Sequence, residues 1–97
     1  MDKRVEWSTE KNEWLKAHRD LSFEAIVTAI DNGKLLDMIP HSNPQYAHQK
    51  IYVLNIEDQV ILVPFVENED KIFLKTAFPS RKASKTYKPK GAHHEKN

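Results

Sequence analysis

An α+β domain, with two N-terminal helices packed on an antiparallel β-meander and a short basic helix at the end, is the fold these 97 residues predict. Three observations point to it. Apolar residues recur at helical spacing through about residue 30, β-rich runs then follow one another across short polar links, and basic residues gather after the last of those runs. The length suits one domain, and no composition break divides the chain into two cores. Residues 1–88 are therefore expected to form a single domain and 89–97 a disordered tail, since Ala92 to Asn97 contains no core-forming run.

Arg4-Val5-Glu6-Trp7 alternates polar and apolar residues and reads as a short first strand, stopped at Ser8-Thr9, where a hydroxyl can accept the free amide hydrogens of a starting helix. Glu10 to Arg19 follows as the first helix, with Lys11, Trp14, Leu15 and His18 on one stripe that is half apolar and half basic. Phe23, Ile26, Val27 and Ile30 repeat the spacing behind Ser22 as N-cap, with Gly33 as the stop and Leu21 placed to pack on Ile26. The short link around Asp20 and Leu21 predicts a tight helical hairpin whose stripes face the same core.

Lys34 to Ile39 reads as a strand closed by Pro40, and His41 to Gln49 as a loop rich in turn formers. Lys50 to Ile56, Gln59 to Val66 and Lys71 to Phe78 are the three β-rich runs, joined by Glu57-Asp58 and by Glu67 to Asp70. Neither link carries the favoured Asn-Gly turn. Val60 to Val66 is apolar at almost every position, as in a strand covered on both faces, while Pro64 within it calls for an edge or a bulge. Ser80 then caps a short helix from Arg81 to Tyr87, ended by Pro89 and Gly91.

Composition excludes several classes of chemistry. Without cysteine there is no disulfide framework, no thiolate metal site and no cysteine nucleophile. No segment approaches the run of about 20 apolar residues that a membrane helix requires, and Met1 to Glu6 lacks the apolar stretch of a signal peptide, so the expected address is the cytoplasm. The net charge of +1 conceals an uneven distribution: residues 1–70 carry 7 Lys+Arg against 13 Asp+Glu, and residues 71–97 carry 8 against 1. A basic surface for phosphate-rich ligands beside an acidic remainder is one reading; a solvated basic tail is the other.

Val5-Glu6-Trp7 followed by Lys11, then Leu21-Ser22-Phe23-Glu24, resembles the N-terminal signature of the BrnT-like toxins, a branch of the RelE/ParE-type superfamily. Ile72-Phe73-Leu74-Lys75-Thr76 and Pro79-Ser80-Arg81-Lys82-Ala83, with Lys85 and Tyr87, resemble the closing strand and basic helix of the same family. The similarity covers roughly Arg4 to Lys88, in matching order. Many relatives have Lys-His-Gly between the helices, where this chain has His18-Arg19-Asp20.

The resemblance implies a RelE-like fold and the toxin of a type II toxin–antitoxin system: a metal-independent, cofactor-free endoribonuclease silenced by a cognate antitoxin protein, with which it forms an oligomer. The RNA's own 2′-hydroxyl is then the nucleophile, and the site needs a base, cations at the phosphate and an acid for the leaving oxygen. Arg81 and Lys82, opening the last helix, are the expected holders of the scissile phosphate, with Lys75 and Lys85 extending that surface; a plain solvated basic helix is the alternative.

Lys11 and His18 lie about two turns apart on one helix face and are expected to meet the phosphate from the other side, beside Arg19. Otherwise His18 is partly buried against Trp14, with Lys11 snorkelling past it. His41, or His48 in the same loop, is a further acid–base candidate, and equally an ordinary loop histidine. Tyr87 can stack on a base, although packing the last helix on the sheet is the commoner use. Trp7 and Trp14 are expected in the core. No carboxylate or thiol completes a metal site with the histidines. A non-catalytic nucleic-acid-binding or protein-interaction module of the same fold is the competing function.

Overall fold

In the computed structural model, which describes residues 3–87, strand β1 (Arg4–Trp7) runs into helix α1 (Thr9–Arg19) through Ser8, whose hydroxyl accepts the Lys11 amide hydrogen at 3.1 Å. Helix α2 (Phe23–Asp31) starts the same way, with the Ala25 amide donating to the Ser22 hydroxyl at 3.1 Å. Asp20 sits between them at φ 55°, the left-handed conformation that stops α1. At the end of α2, Gly33 at φ 80° closes a Schellman motif, in which the Gly33 amide bonds to the Ile30 carbonyl and the Lys34 amide to that of Ala29.

The two helices are joined by one buried polar residue. Asn12, only 3% exposed, accepts the Phe23 amide hydrogen on Oδ1 at 2.7 Å and donates from Nδ2 to Glu24 Oε1 at 2.9 Å. Its carboxamide thus satisfies a free donor at the start of α2 from within α1.

Strands β2 (Leu35–Pro40), β3 (Lys50–Ile56), β4 (Gln59–Glu67) and β5 (Lys71–Leu74) form the expected antiparallel meander. β1 then adds to β5 in parallel, so the sheet is mixed, with order β1-β5-β4-β3-β2. Pro40 is the last residue of β2, paired with Lys50. A short 3-10 turn, Pro44–Tyr46, lies within the loop that follows.

The run from Lys71 to Phe78 is not one strand. It divides into β5 and a two-residue strand β6 (Phe78–Pro79), which returns to pair with Ile61 and Leu62 of β4. Pro64 explains the break. It lies in a central strand and not at an edge; its carbonyl accepts the Lys75 amide hydrogen at 2.8 Å, so its nitrogen, which has no hydrogen to donate, faces the same side. The chain leaves the ladder between Leu74 and Phe78, where that donor would have been needed.

The β3–β4 hairpin turns on Glu57 at φ 53° and Asp58 at φ 65°, a two-residue connection with both residues left-handed. Seven register pairs, from Lys50↔Phe65 to Ile56↔Gln59, hold it against its own turn preference. Replacing Glu57→Asn together with Asp58→Gly is expected to raise stability by roughly 1–2 kcal/mol, measured as an upward shift of the urea midpoint at unchanged slope.

The main core lies between the sheet and the N-terminal helices: Leu15, Phe23 and Ile26 meet Tyr52, Leu54, Ile61, Val63, Phe65, Ile72 and Leu74. Trp7 packs against it, with its ring 5.5 Å from Phe23, and Leu21 is half-buried on the same cluster as Ile26. β4 is buried on both faces, as its continuous apolar run predicts. The second face is covered by helix α3 (Arg81–Tyr87), started by Ser80, whose hydroxyl accepts the Ala83 amide hydrogen at 3.0 Å. Tyr87 donates its phenol hydrogen to Asp37 Oδ2 at 2.7 Å, and the register row Asp37, Val53, Leu62 marks that face as the one turned away from α1 and α2. The predicted tail, 89–97, lies outside the described residues.

Candidate nucleic-acid interface

Helix α1 turns Leu15 and Asn12 inward, which leaves the other half of its stripe on the surface. Trp14 is 38% exposed, contrary to its expected core position, because the buried face of the helix is centred one residue further on. Three charged or ionisable side chains surround its ring. The His18 imidazole stacks on it at 4.7 Å and 21°, the Arg19 guanidinium lies 4.7 Å from its centroid, and Lys11 Nζ lies 4.9 Å from it. The Lys11 and His18 contacts follow from helical geometry, since i−3 and i+4 neighbours lean on the same ring, and cations favour its electron-rich face.

His18 is oriented as well as stacked. Its Nδ1 is 3.0 Å from the Trp14 carbonyl, an oxygen that can only accept, so Nδ1 carries the hydrogen and the Nε2 lone pair is left outward in the neutral ring. Arg19 is anchored too: Nη1 donates to the Ala77 carbonyl at 2.8 Å, tying the end of α1 to the link between β5 and β6. On that link Lys75 is exposed, while Ile72 and Leu74 on the preceding strand are buried. Its Nζ lies 5.6 Å above the Phe73 ring.

Between α1 and the end of β5 these groups enclose an open groove of about 440 Å³, lined by Ser8, Glu10, Lys11, Trp14, Phe73 and Lys75. It brings Lys11 and Lys75 together, with His18 and Arg19 on the adjoining rim of Trp14.

The other candidates lie elsewhere. Arg81, Lys82 and Lys85 are exposed on α3, on the opposite face of the sheet from α1. Arg81 lines a different concavity, with Asp58, Gln59, Pro79 and Ser84. Arg81 and Lys82 therefore do not close on a shared phosphate with Lys11 and His18, as the sequence suggested. The sheet stands between the two groups.

His41 belongs to the far edge. The row Pro40, Lys50, Phe65, Leu74, Trp7 crosses four inter-strand spacings, on the order of 19 Å, from β2 to β1. There His41 accepts the Asn43 amide hydrogen on Nδ1 at 3.2 Å and rests 5.1 Å from the Tyr46 ring, an arrangement that shapes its own loop. His48 lines a cavity of about 280 Å³ with Lys3, Lys50 and Glu67. Tyr87 joins α3 to β2, and the bond from its hydroxyl to Asp37 holds its pKa above the ordinary phenol value.

Sequence reasoning missed Phe73, Glu10 and Asn12. The first had a signal: it precedes Lys75 by two positions and so shares its side of the strand. Asn12 had none, because its partners lie in the next helix.

Among the described residues three carboxyls are held below the ordinary range: Glu6 by its hydrogen bond to Lys71, Glu24 by that to Asn12 and Glu67 by that to Lys3. A lowered carboxyl stabilises the fold above its unfolded pKa, and the contribution is lost as pH falls through the folded value. Stability is thus expected to be level near neutrality and to fall below about pH 4.3, the usual glutamate value. Urea midpoints measured between neutrality and acid read this directly.

No family model, curated protein or solved structure matches the chain. Among the described residues no helix is long and apolar enough to cross a membrane, and no group of three or more His, Asp and Glu could hold a metal ion. Fold and surface together define an α+β protein with a cationic, aromatic-backed groove beside its first helix.

Proposed function

We propose that this protein is the toxin of a type II toxin–antitoxin pair, of BrnT-like and RelE/ParE type, and that it cuts RNA in the cytoplasm without a metal or other cofactor. The reading is carried by one observation: an imidazole fixed by the Trp14 carbonyl with Nε2 outward, stacked on a ring that also holds Lys11 and Arg19. Nε2 of His18 takes the proton from a ribose 2′-hydroxyl, whose oxygen forms a bond to the adjacent phosphorus as the bond to the 5′-oxygen breaks. The departing oxygen takes up a proton from solvent water, leaving a 2′,3′-cyclic phosphate and a 5′-hydroxyl end. Lys11 and Lys75 balance the charge that builds on the phosphate. Arg81, Lys82 and Lys85, on the opposite face, bind RNA outside the cleavage point or receive the antitoxin.

The test is inducible expression in a bacterial host, with growth and RNA integrity followed for the intact protein, for His18→Ala and for Arg81→Ala. Growth arrest with RNA loss, abolished by His18→Ala and only weakened by Arg81→Ala, supports the reading. Intact RNA and normal growth at confirmed soluble expression, with salt-sensitive RNA binding in vitro, favour a non-catalytic binding module instead.

A further inference from the structure

The groove between α1 and β5 has features that phosphate binding alone does not require. Lys11 and Lys75 suit a phosphate, yet the walls also present two aromatic rings, Trp14 and Phe73, and the carboxylate-bearing Glu10. A volume of about 440 Å³ is in the range of small-ligand sites and is suited to a nucleotide rather than to a helix of nucleic acid. Of the three groups around the Trp14 ring, only Lys11 lines the groove. Lys11 is a long side chain that can swing away from the ring, while His18 stays in place through the Trp14 carbonyl.

We infer that this groove holds a single unpaired nucleotide, with its base against Trp14 and Phe73 and its phosphate between Lys11 and Lys75, and that Glu10 selects guanine. The inference rests on the RNA-cutting reading and names the substrate class of the same site. A paired base keeps its faces inside the helix, whereas an unpaired one offers both its face and its Watson–Crick edge. Guanine alone presents two adjacent donors on that edge, N1–H and the exocyclic amine, which one carboxylate can accept together. A carboxylate is out of place in a groove built only for phosphate, since it opposes the anion. It is well placed to receive those donors. Lys11 leaves the indole, and Lys75 the Phe73 ring, for the phosphate as the base enters, so the same two side chains free the rings and neutralise the backbone.

The experiment measures fluorescence anisotropy of the full chain with labelled 2′-O-methyl heptamers, which cannot be cut. The probes are uridine runs with guanine, adenine or uracil at the centre, and the guanine strand annealed to its complement. The single-stranded guanine probe is expected to bind at least about tenfold more tightly than the adenine probe or the duplex. Glu10→Gln should bring guanine down to the level of adenine, Trp14→Ala should weaken all single strands, and Lys11→Ala should weaken the three single strands alike and the duplex less. Circular dichroism confirms that each variant is folded, and Phe73→Leu serves as a second, milder probe of the stacking wall.

Equal binding of all probes, untouched by Trp14→Ala and Phe73→Leu, overturns the inference even where His18→Ala abolishes RNA cutting in cells. Guanine preference that Glu10→Gln leaves intact overturns the role given to Glu10. Guanine preference lost in Glu10→Gln, with intact RNA in cells, sustains the nucleotide site and removes the catalytic reading instead.

Discussion

His18→Ala is expected to lower the rate of RNA cleavage by about 10²–10⁴-fold, the usual contribution of a positioned acid–base group, while leaving the fold unchanged. The side chain is exposed, and its polar contact is with the Trp14 carbonyl of its own helix, so its removal uncovers no core. Single-turnover cleavage of a labelled RNA reads the loss, with RNA binding measured in parallel. Binding should fall much less than the rate, because Lys11, Arg19 and Lys75 remain. His41→Ala is the internal comparison: its imidazole shapes a loop at the opposite edge of the sheet, and its loss should leave the rate within about twofold, well short of a general-base effect. A large effect of His41→Ala together with none of His18→Ala would move the active site to the other edge.

Asn12→Ala is expected to cost about 2 kcal/mol of stability, the largest effect predicted here for one polar group. The Phe23 amide would lose its side-chain acceptor and Glu24 one of its donors, in a position that is 3% exposed. The urea midpoint reads it, at unchanged slope. Asn12→Asp separates the two bonds. The new carboxylate can still accept from the Phe23 amide, but it confronts the Glu24 carboxylate where the carboxamide had donated. Like charges raise carboxyl pKa values, so this penalty is present at neutral pH and is relieved as pH falls and one of the pair takes up a proton. The parent protein runs the other way, because its Glu24 is held below the ordinary range by Asn12. The difference between the two should therefore narrow on acidification.

The candidate site was only partly legible in the chain. Lys11 and His18 are on one helix face by spacing alone, and Trp14 lies between them on the same stripe. Their exposure was not legible, because a helix with one strong apolar residue and a mixed stripe can present either half to the sheet. Leu15 decided the matter together with Asn12, whose bonds to Phe23 and Glu24 fix the rotation of α1 against α2. Arg81 and Lys82 follow Lys75 by only a few residues, yet they end on the other face. Pro64 breaks the ladder, β6 returns to β4 and α3 crosses beneath the sheet to reach Asp37.

What the sequence by itself determined is local: the three serine caps, the glycine stop at Gly33, the course of β1, β3 and β4, and the double burial announced by Val60 to Val66. Each depends on near neighbours, so each can be read from a few adjacent residues. Tertiary structure decided what depends on distant partners: the parallel addition of β1 to β5, the exposure of Trp14, the left-handed turn at Glu57-Asp58 and the meeting of Lys11 with Lys75. In these cases burial and register across the whole sheet outweigh local preference, and no short stretch of sequence records the outcome.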